Sequence, residues 1–333
     1  MKAKHLSLRN SVLWVGILLL AGCSTGINGT PASMPTLTNV PASSPVVTSA
    51  LLPFAGRIAF VSKSGTGYYY HVYVMNADGS EINDITPPDL LLISSLAWSP
   101  SGEYLAFDAT IGAKAQIYTI RADGADLKQL TFGEEHSSSP SWSPDGKYIL
   151  FVSSQKDILD YRGQVARQGY IMKSDGSEVR RLKDDNDSVV DISYRNDGFI
   201  SVLAPATRKT AYNYIINSNG VIQHQFPRFT LDGIPVWSPD SNLVAYMDTR
   251  TDCSGIILMK PDGSNQVCLK IDGIPPSASV GIPSWSPDGQ YIIFSSNIDN
   301  DGDIYIVKPD GSELTRLTNM PGDETWPVWS AAP

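Results

Sequence analysis

A basic stripe, a membrane-spanning apolar run, clustered histidines and a nucleophile elbow are all missing from this 333-residue chain. Lysine and arginine number 25 against 34 aspartates and glutamates. That balance excludes a nucleic-acid partner, which needs a basic footprint, and docking on anionic lipid by charge. The longest early apolar run, Val12 to Leu20, is too short to span a bilayer comfortably. Only four histidines occur, His5, His71, His136 and His224. They lack zinc-ligand spacing. No Gly-x-Ser-x-Gly occurs within the repeats, and no residues are left after the last repeat for a hydrolase domain. The chain therefore reads as a non-enzyme. With 42% hydrophobic and 18% charged residues, it still has the means to bury a large core.

What is present is a repeat. The stretch Pro283 to Thr318, PSWSPDGQYIIFSSNIDNDGDIYIVKPDGSELTRLT, reads as four short strands separated by turn residues. Six such units align along the chain. Their anchoring aromatics are Trp98, Trp142, Tyr194, Trp237, Trp285 and Trp329, with spacings of 44, 52, 43, 48 and 44 residues. A glycine turn before the fourth strand keeps step at Gly79, Gly124, Gly176, Gly220, Gly263 and Gly311. Four antiparallel strands at this period define an all-β fold, a six-bladed β-propeller. The segment from Arg57 begins at a second strand, and Pro327 to Ser330 repeats a first strand. The C-terminal strand is therefore expected to join the N-terminal blade and close the ring. The fourth unit is degenerate, with Tyr194 for tryptophan and Arg195-Asn196-Asp197-Gly198 for Ser-Pro-Asp-Gly.

Residues 1–22 read as a signal peptide, with a basic start, an apolar run and small residues. Its end, Leu20-Ala21-Gly22-Cys23, resembles the bacterial lipobox, which implies that Cys23 is lipidated and becomes the N-terminus. Several acyl chains give a stable anchor. Ser24 follows the cysteine; by the same resemblance no inner-membrane retention is signalled, and the choice of membrane stays open. Loss of Lys2, Lys4 and Arg9 with the leader would take the formal charge from −9 to −12. Residues 23–53 are rich in Ser, Thr and Pro and read as a tether. Residues 54–333 are the propeller. Of three cysteines, Cys253 and Cys268 fall in one blade, and an oxidising compartment permits a bridge between them.

The units WSPSGEYLAF, WSPDGKYILF, WSPDSNLVAY and WSPDGQYIIF resemble the WD-like repeats of the TolB propeller family, across nearly all of residues 57 to 330. TolB carries an α/β domain before its propeller, where this chain has a leader and a tether. The resemblance implies a propeller on the outer side of the bacterial membrane that offers its channel mouth to protein segments. Some relatives instead carry a peptidase domain or act on sugars.

The repeated Ser-Pro-Asp-Gly and Asp-Gly-Ser sets read as turn formers, and the tryptophans as filling between blades. In this fold the connection from a blade's fourth strand to the next blade's first lies at the channel mouth. Those connections hold Asp89, Glu134, Glu135, His136, Asp184, Asp185, Asp187, Asp232, Asp272, Asp323, Glu324 and Trp326, with Lys183 and Arg228 as the only bases. The ten acids are expected to form a negative funnel for a basic peptide or a cation-bridged partner. Trp326 and Phe229 are candidate anchors, or packing under the loops. Asn297 to Asp303 resembles the start of a calcium loop, but Lys308 stands where an EF-hand needs an acid. Asp299, Asp301 and Asp303 remain a weak Ca2+ candidate; no other cofactor is expected. The reading is a monomeric, lipid-anchored envelope module that binds an envelope protein or peptide. Its alternative is a carbohydrate-active enzyme, a glycan hydrolase or lyase using mouth carboxylates as acid and base.

Overall fold

The computed structural model describes residues 54–63, 70–87, 90–111, 114–159, 165–182, 188–189, 191–205, 210–225, 229–230, 234–248, 255–275, 278–298 and 301–331. The expected leader and tether lie outside them. Six antiparallel sheets form the blades. In chain order from the second blade, the innermost strands are Leu91–Trp98, Ser137–Trp142, Asp191–Tyr194, Val236–Trp237 and Ser284–Trp285. The sixth innermost strand, Asp323–Trp329, pairs with Arg57–Lys63 at the other end of the chain. The blade begun at the N-terminus is thus completed by the C-terminus, as the repeat arithmetic requires. The fourth blade keeps its four strands and gains a fifth segment, Phe229–Thr230, on Thr210–Ile216. Phe229, expected in a mouth loop, is in that strand.

The second and third strands of each blade are sandwiched between neighbouring blades. Ile58 to Val61 and Ile292 to Ser296 are buried at every position. This explains their near-continuous apolar sequences, since a strand covered on both faces has no need to alternate. The core is accordingly a set of layers between blades. One layer joins Ala59 and Val61 of the first blade to Leu105 and Phe107 of the second; another joins Phe60 to Ile293 and Ile306 of the sixth. Within blades a cross-strand aromatic pair recurs. Phe60 on Tyr73, Phe107 on Tyr118, Phe151 on Tyr170 and Phe294 on Tyr305 stack with centroids 5.5 to 6.0 Å apart, each pair adding about 0.5–1.5 kcal/mol beyond its buried area.

Two of the anchoring tryptophans tie blade to blade, and a third holds the closing strand to the chain just before its partner. Trp98 Nε1 donates to the Val328 carbonyl at 3.1 Å, Trp285 Nε1 to Val236 at 3.2 Å, and Trp329 Nε1 to Ala55 at 3.1 Å. The Ser-Pro-Asp-Gly sets are turn devices. Ser286 Oγ donates to Asp288 Oδ1 at 2.6 Å and accepts the Tyr291 N–H at 2.9 Å. Asp145 in the equivalent turn is held down to about 2, chiefly by the Ser143 hydroxyl.

All six glycines of the second turn series have left-handed φ, between 79° and 89°, which an L side chain adopts at a cost of about 1–2 kcal/mol. Two of them separate that cost from crowding. A Cβ on Gly311 would meet the Lys270 carbonyl oxygen at 1.9 Å, whereas on Gly124 its nearest neighbour is 3.6 Å away. Gly124→Ala should lower unfolding free energy by about 1–2 kcal/mol and Gly311→Ala by about 1–3 kcal/mol more. Urea unfolding of both variants measures the difference, and equal losses would refute the clash.

Candidate functional site at the ring axis

The innermost strands run from the mouth to the anchoring aromatics, and their burial alternates in step around the ring. One residue before each anchor stand Ala97, Ser141, Ser193, Val236, Ser284 and Val328, all half-buried. Three before stand Ser95, Ser139, Asp191, Ile234, Ile282 and Trp326, also half-buried. The residue between is buried in every blade. A period of two puts the half-buried sets on the axial face. This wall is polar on the third and fourth blades, apolar on the fifth and first, and mixed on the second and sixth, with Ser95 beside Ala97 and Ser284 beside Ile282.

Backbone irregularity falls at the same step. Ser95, Ser139 and Trp326 adopt left-handed φ of 49°, 55° and 52°, and each sits where its strand pairing shifts register. An extra residue re-aims the chain at such a bulge. Trp326 thereby stacks on Tyr70, with centroids 6.4 Å apart and planes 25° from parallel.

Two carboxylates missed by sequence reasoning lie on the polar side. Asp108, on the second strand of its blade, is buried. Its Oδ2 accepts from Ser94 Oγ at 2.6 Å and its Oδ1 from the Ser139 N–H at 3.3 Å. Burial pushes it up to about 6, against the hydrogen bonds and the Arg167 charge. Asp191, half-buried on its first strand, is likewise raised to about 6 by burial, opposed by the Ser139 side chain, the Ile192 N–H and Arg167. Arg167 donates from Nη2 to Ser138 Oγ at 2.7 Å. Burial lowers its own pKa while both carboxylates raise it. The available signal was an aspartate interrupting the apolar run Leu105 to Ala109.

The expected mouth residues divide. Glu134, Asp272 and Asp323 are exposed and Glu135 is half-buried. The Glu135 carbonyl accepts from Gln116 Nε2 at 2.8 Å. His136 is exposed, its Nδ1 within 3.3 Å of the Ala115 N–H. Asp89, Asp184, Asp185, Asp187 and Asp232 lie outside the described residues. Glu324 does not face the mouth: it is fully buried where the sixth blade meets the closing strand. Strand alternation sends Asp323 outward and Glu324 inward, opposite Ser62. Ser62 Oγ donates to Oε1 at 3.2 Å and Thr318 Oγ1 to Oε2 at 3.1 Å. Burial raises the carboxyl to about 7, and the adjacent Asp303 carboxylate adds to the rise.

Asp303, expected as part of a cation loop, is also fully buried and pairs with Arg316 Nη2 at 2.6 Å. Asp301 is exposed and Asp299 lies outside the described residues. No group of three metal-ligating side chains able to hold an ion occurs among the described residues. Cys268 is disulfide-bonded; Cys253 lies outside the described residues.

The model described as TolB beta propeller domain matches residues 92–279, more than half the chain. The chain belongs to the TolB β-propeller family. It is similar to TolB from Acinetobacter baumannii (24% identity, TM-score 0.66, covering 84% of this chain and 67% of that one). It is also similar to a putative TolB from Agrobacterium tumefaciens (16%, TM-score 0.57, 83% and 99%) and to Kuenenia stuttgartiensis hydrazine synthase (13%, TM-score 0.66, 83% and 46%). At these identities the structures show the fold alone. An uncharacterized protein of Agrobacterium fabrum is 29% identical over 87 residues, which span 26% of this chain and 30% of that protein.

Three raised carboxyls make stability depend on pH with a definite sign. Each binds its proton more tightly folded than unfolded, so folding takes up protons between the ordinary carboxylate range and about 6 for Asp108 and Asp191, or about 7 for Glu324. Their contribution is present below pH ~4 and declines as pH rises through that window. The thermal midpoint should fall between pH 5 and pH 7.5. Glu324→Gln should flatten the upper part of the decline, and a Glu324→Gln profile identical to wild type would refute the assignment.

Proposed function

We propose that this chain is a lipid-anchored, extracytoplasmic propeller that binds a basic segment of an envelope protein at its acidic mouth. The observation that carries the reading is Asp191 on a first strand that leads up to the mouth, with Asp108 on the second strand of its blade behind it, both held by Ser139. Both carboxyls are raised by burial, with one arginine nearby. An incoming lysine or arginine would supply the countercharge that favours their ionised forms. The exposed Glu134, Asp272 and Asp323 add attraction at the rim, where charge raises encounter rates more than it raises affinity. A rigid ring presents these groups at small ordering cost.

The direct test is capture from envelope extracts by residues 54–333 beside a variant in which Glu134, Glu135, Asp184, Asp185 and Asp187 become Gln or Asn. The partner should be captured by the parent at low salt and lost in the variant and at high salt. Unchanged capture by the variant would sink the mouth reading. Lipid attachment has its own test: in cells, Cys23→Ser should move the protein from the membrane to the soluble fraction, and retention in the membrane would refute lipidation at Cys23. Cys253 is the proposed partner of Cys268.

The pair Asp108 and Asp191 also supports a second reading, glycan cleavage or elimination, because two carboxyls raised to about 6 are suited to acid and base roles near neutral pH. Turnover of a polysaccharide fragment, abolished by Asp191→Asn, would establish it in place of the binding module.

A further inference from the structure

The opposite end of the axis is built from the turns that follow the anchors. A cavity of about 510 Å³ lies there, lined by all six anchors, Trp98, Trp142, Tyr194, Trp237, Trp285 and Trp329, a size within the usual range for small-ligand sites. The described chain enters the ring on this face, where Phe54 packs edge-on against Trp329 at 5.5 Å. The residue after each anchor is serine in five blades, Ser99, Ser143, Ser238, Ser286 and Ser330; in the fourth it is Arg195. Arg195 is the single charged side chain among those lining the cavity.

The substitution is more than a degenerate turn. Ser143, Ser238 and Ser286 each bond the aspartate two residues on and cap the turn. Arg195 keeps the first of these contacts, from Nη2 to Asp197 Oδ2 at 2.7 Å, but puts a guanidinium in the cavity lining. Its guanidinium carbon lies 4.2 Å from the centroid of the Trp237 ring. Only 13% of the Arg195 side chain is exposed. Its Nε is buried with no acceptor, and so is Trp142 Nε1 on the same cavity. A buried donor without an acceptor costs about 1–3 kcal/mol, and burial here disfavours the arginine charge. Both penalties are relieved by one kind of guest, an anion with an apolar body.

We propose that this cavity binds a carboxylate carried on an aromatic or aliphatic group, with Arg195 as the anion-recognising residue and the tryptophan ring as the apolar wall. The guanidinium turns toward the axis, its Nε–H takes a carboxylate oxygen, and Nη2 stays with Asp197. Arginine offers a planar set of donors for this while stacked on an aromatic face. The carboxylate could belong to a free small molecule or to a peptide C-terminus; both present the same chemistry. The proposal is independent of the acidic mouth.

The test is titration calorimetry of residues 54–333 with four probes: N-acetyl-phenylalanine, its amide, the peptide Ala-Pro-Ala-Phe, and that peptide amidated. The free acids should bind and the amides should bind at least about tenfold more weakly. Preference for the peptide acid over N-acetyl-phenylalanine identifies a chain terminus as the source, and equal affinity identifies a small carboxylate. Arg195→Ser, which installs the residue of the other five blades, should abolish binding with an unchanged circular dichroism spectrum. Arg195→Lys keeps the charge without the fork and should fall between. Binding of acid and amide alike, full affinity in Arg195→Ser, or no binding of either acid to the parent protein would each overturn the proposal. If Arg195→Ser does not fold, the acid and amide comparison on the parent decides.

Discussion

Everything in this molecule depends on pairing between its two ends. A single four-stranded blade cannot cover both of its faces, so each relies on its neighbours for burial. A row of blades would leave two open faces and two unpaired edges. The pairing of Asp323–Trp329 with Arg57–Lys63 removes both at once. The layer that joins Phe60 to Ile293 and Ile306 then makes the last interface equivalent to the others. The axial site is a consequence of closure, because its wall is a set of first strands held in register around a ring.

Closure also explains where polar groups could be buried. Asp303, Glu324, Arg316, Ser62 and Thr318 come from the first and last blades and meet at the seam. A lone buried charge costs several kcal/mol, and this group offsets it with one ion pair, hydroxyl donors and a carboxyl favoured in its protonated form. Asp108, Asp191 and Arg167 solve the same problem beside the channel, with serine hydroxyls and backbone N–H groups as donors. The difference is access: the seam is sealed, while the wall of the channel is half-open.

The two ends of the axis are built from different parts of the repeat. At the mouth stand loops that vary in length and composition from blade to blade. At the other end stand the turns that recur, with their serines, prolines and aromatics. At that end the fourth blade departs furthest from the repeat, and there Arg195, in place of serine, puts a guanidinium among the aromatics that line the cavity. A departure from a repeat is informative because the other copies show what packing alone requires.

By itself the sequence determined the number of blades, their strand order, the turn positions and the closure. These rest on short-range chemistry repeated six times: left-handed glycines, Ser-Asp turns and apolar strands are each legible within a few residues. It also marked the fourth blade as the odd one. The tertiary structure alone decided which acids face solvent, because neighbours in sequence point to opposite sides of a strand. Asp323 and Glu324 read alike and ended at the surface and in the seam. Asp303 looked like a loop ligand and became half of an ion pair, and Asp108, unmarked among apolar neighbours, is buried against Ser94 and Ser139. Alternation, register shifts and the meeting of distant blades set these outcomes, and none of them is written in local spacing.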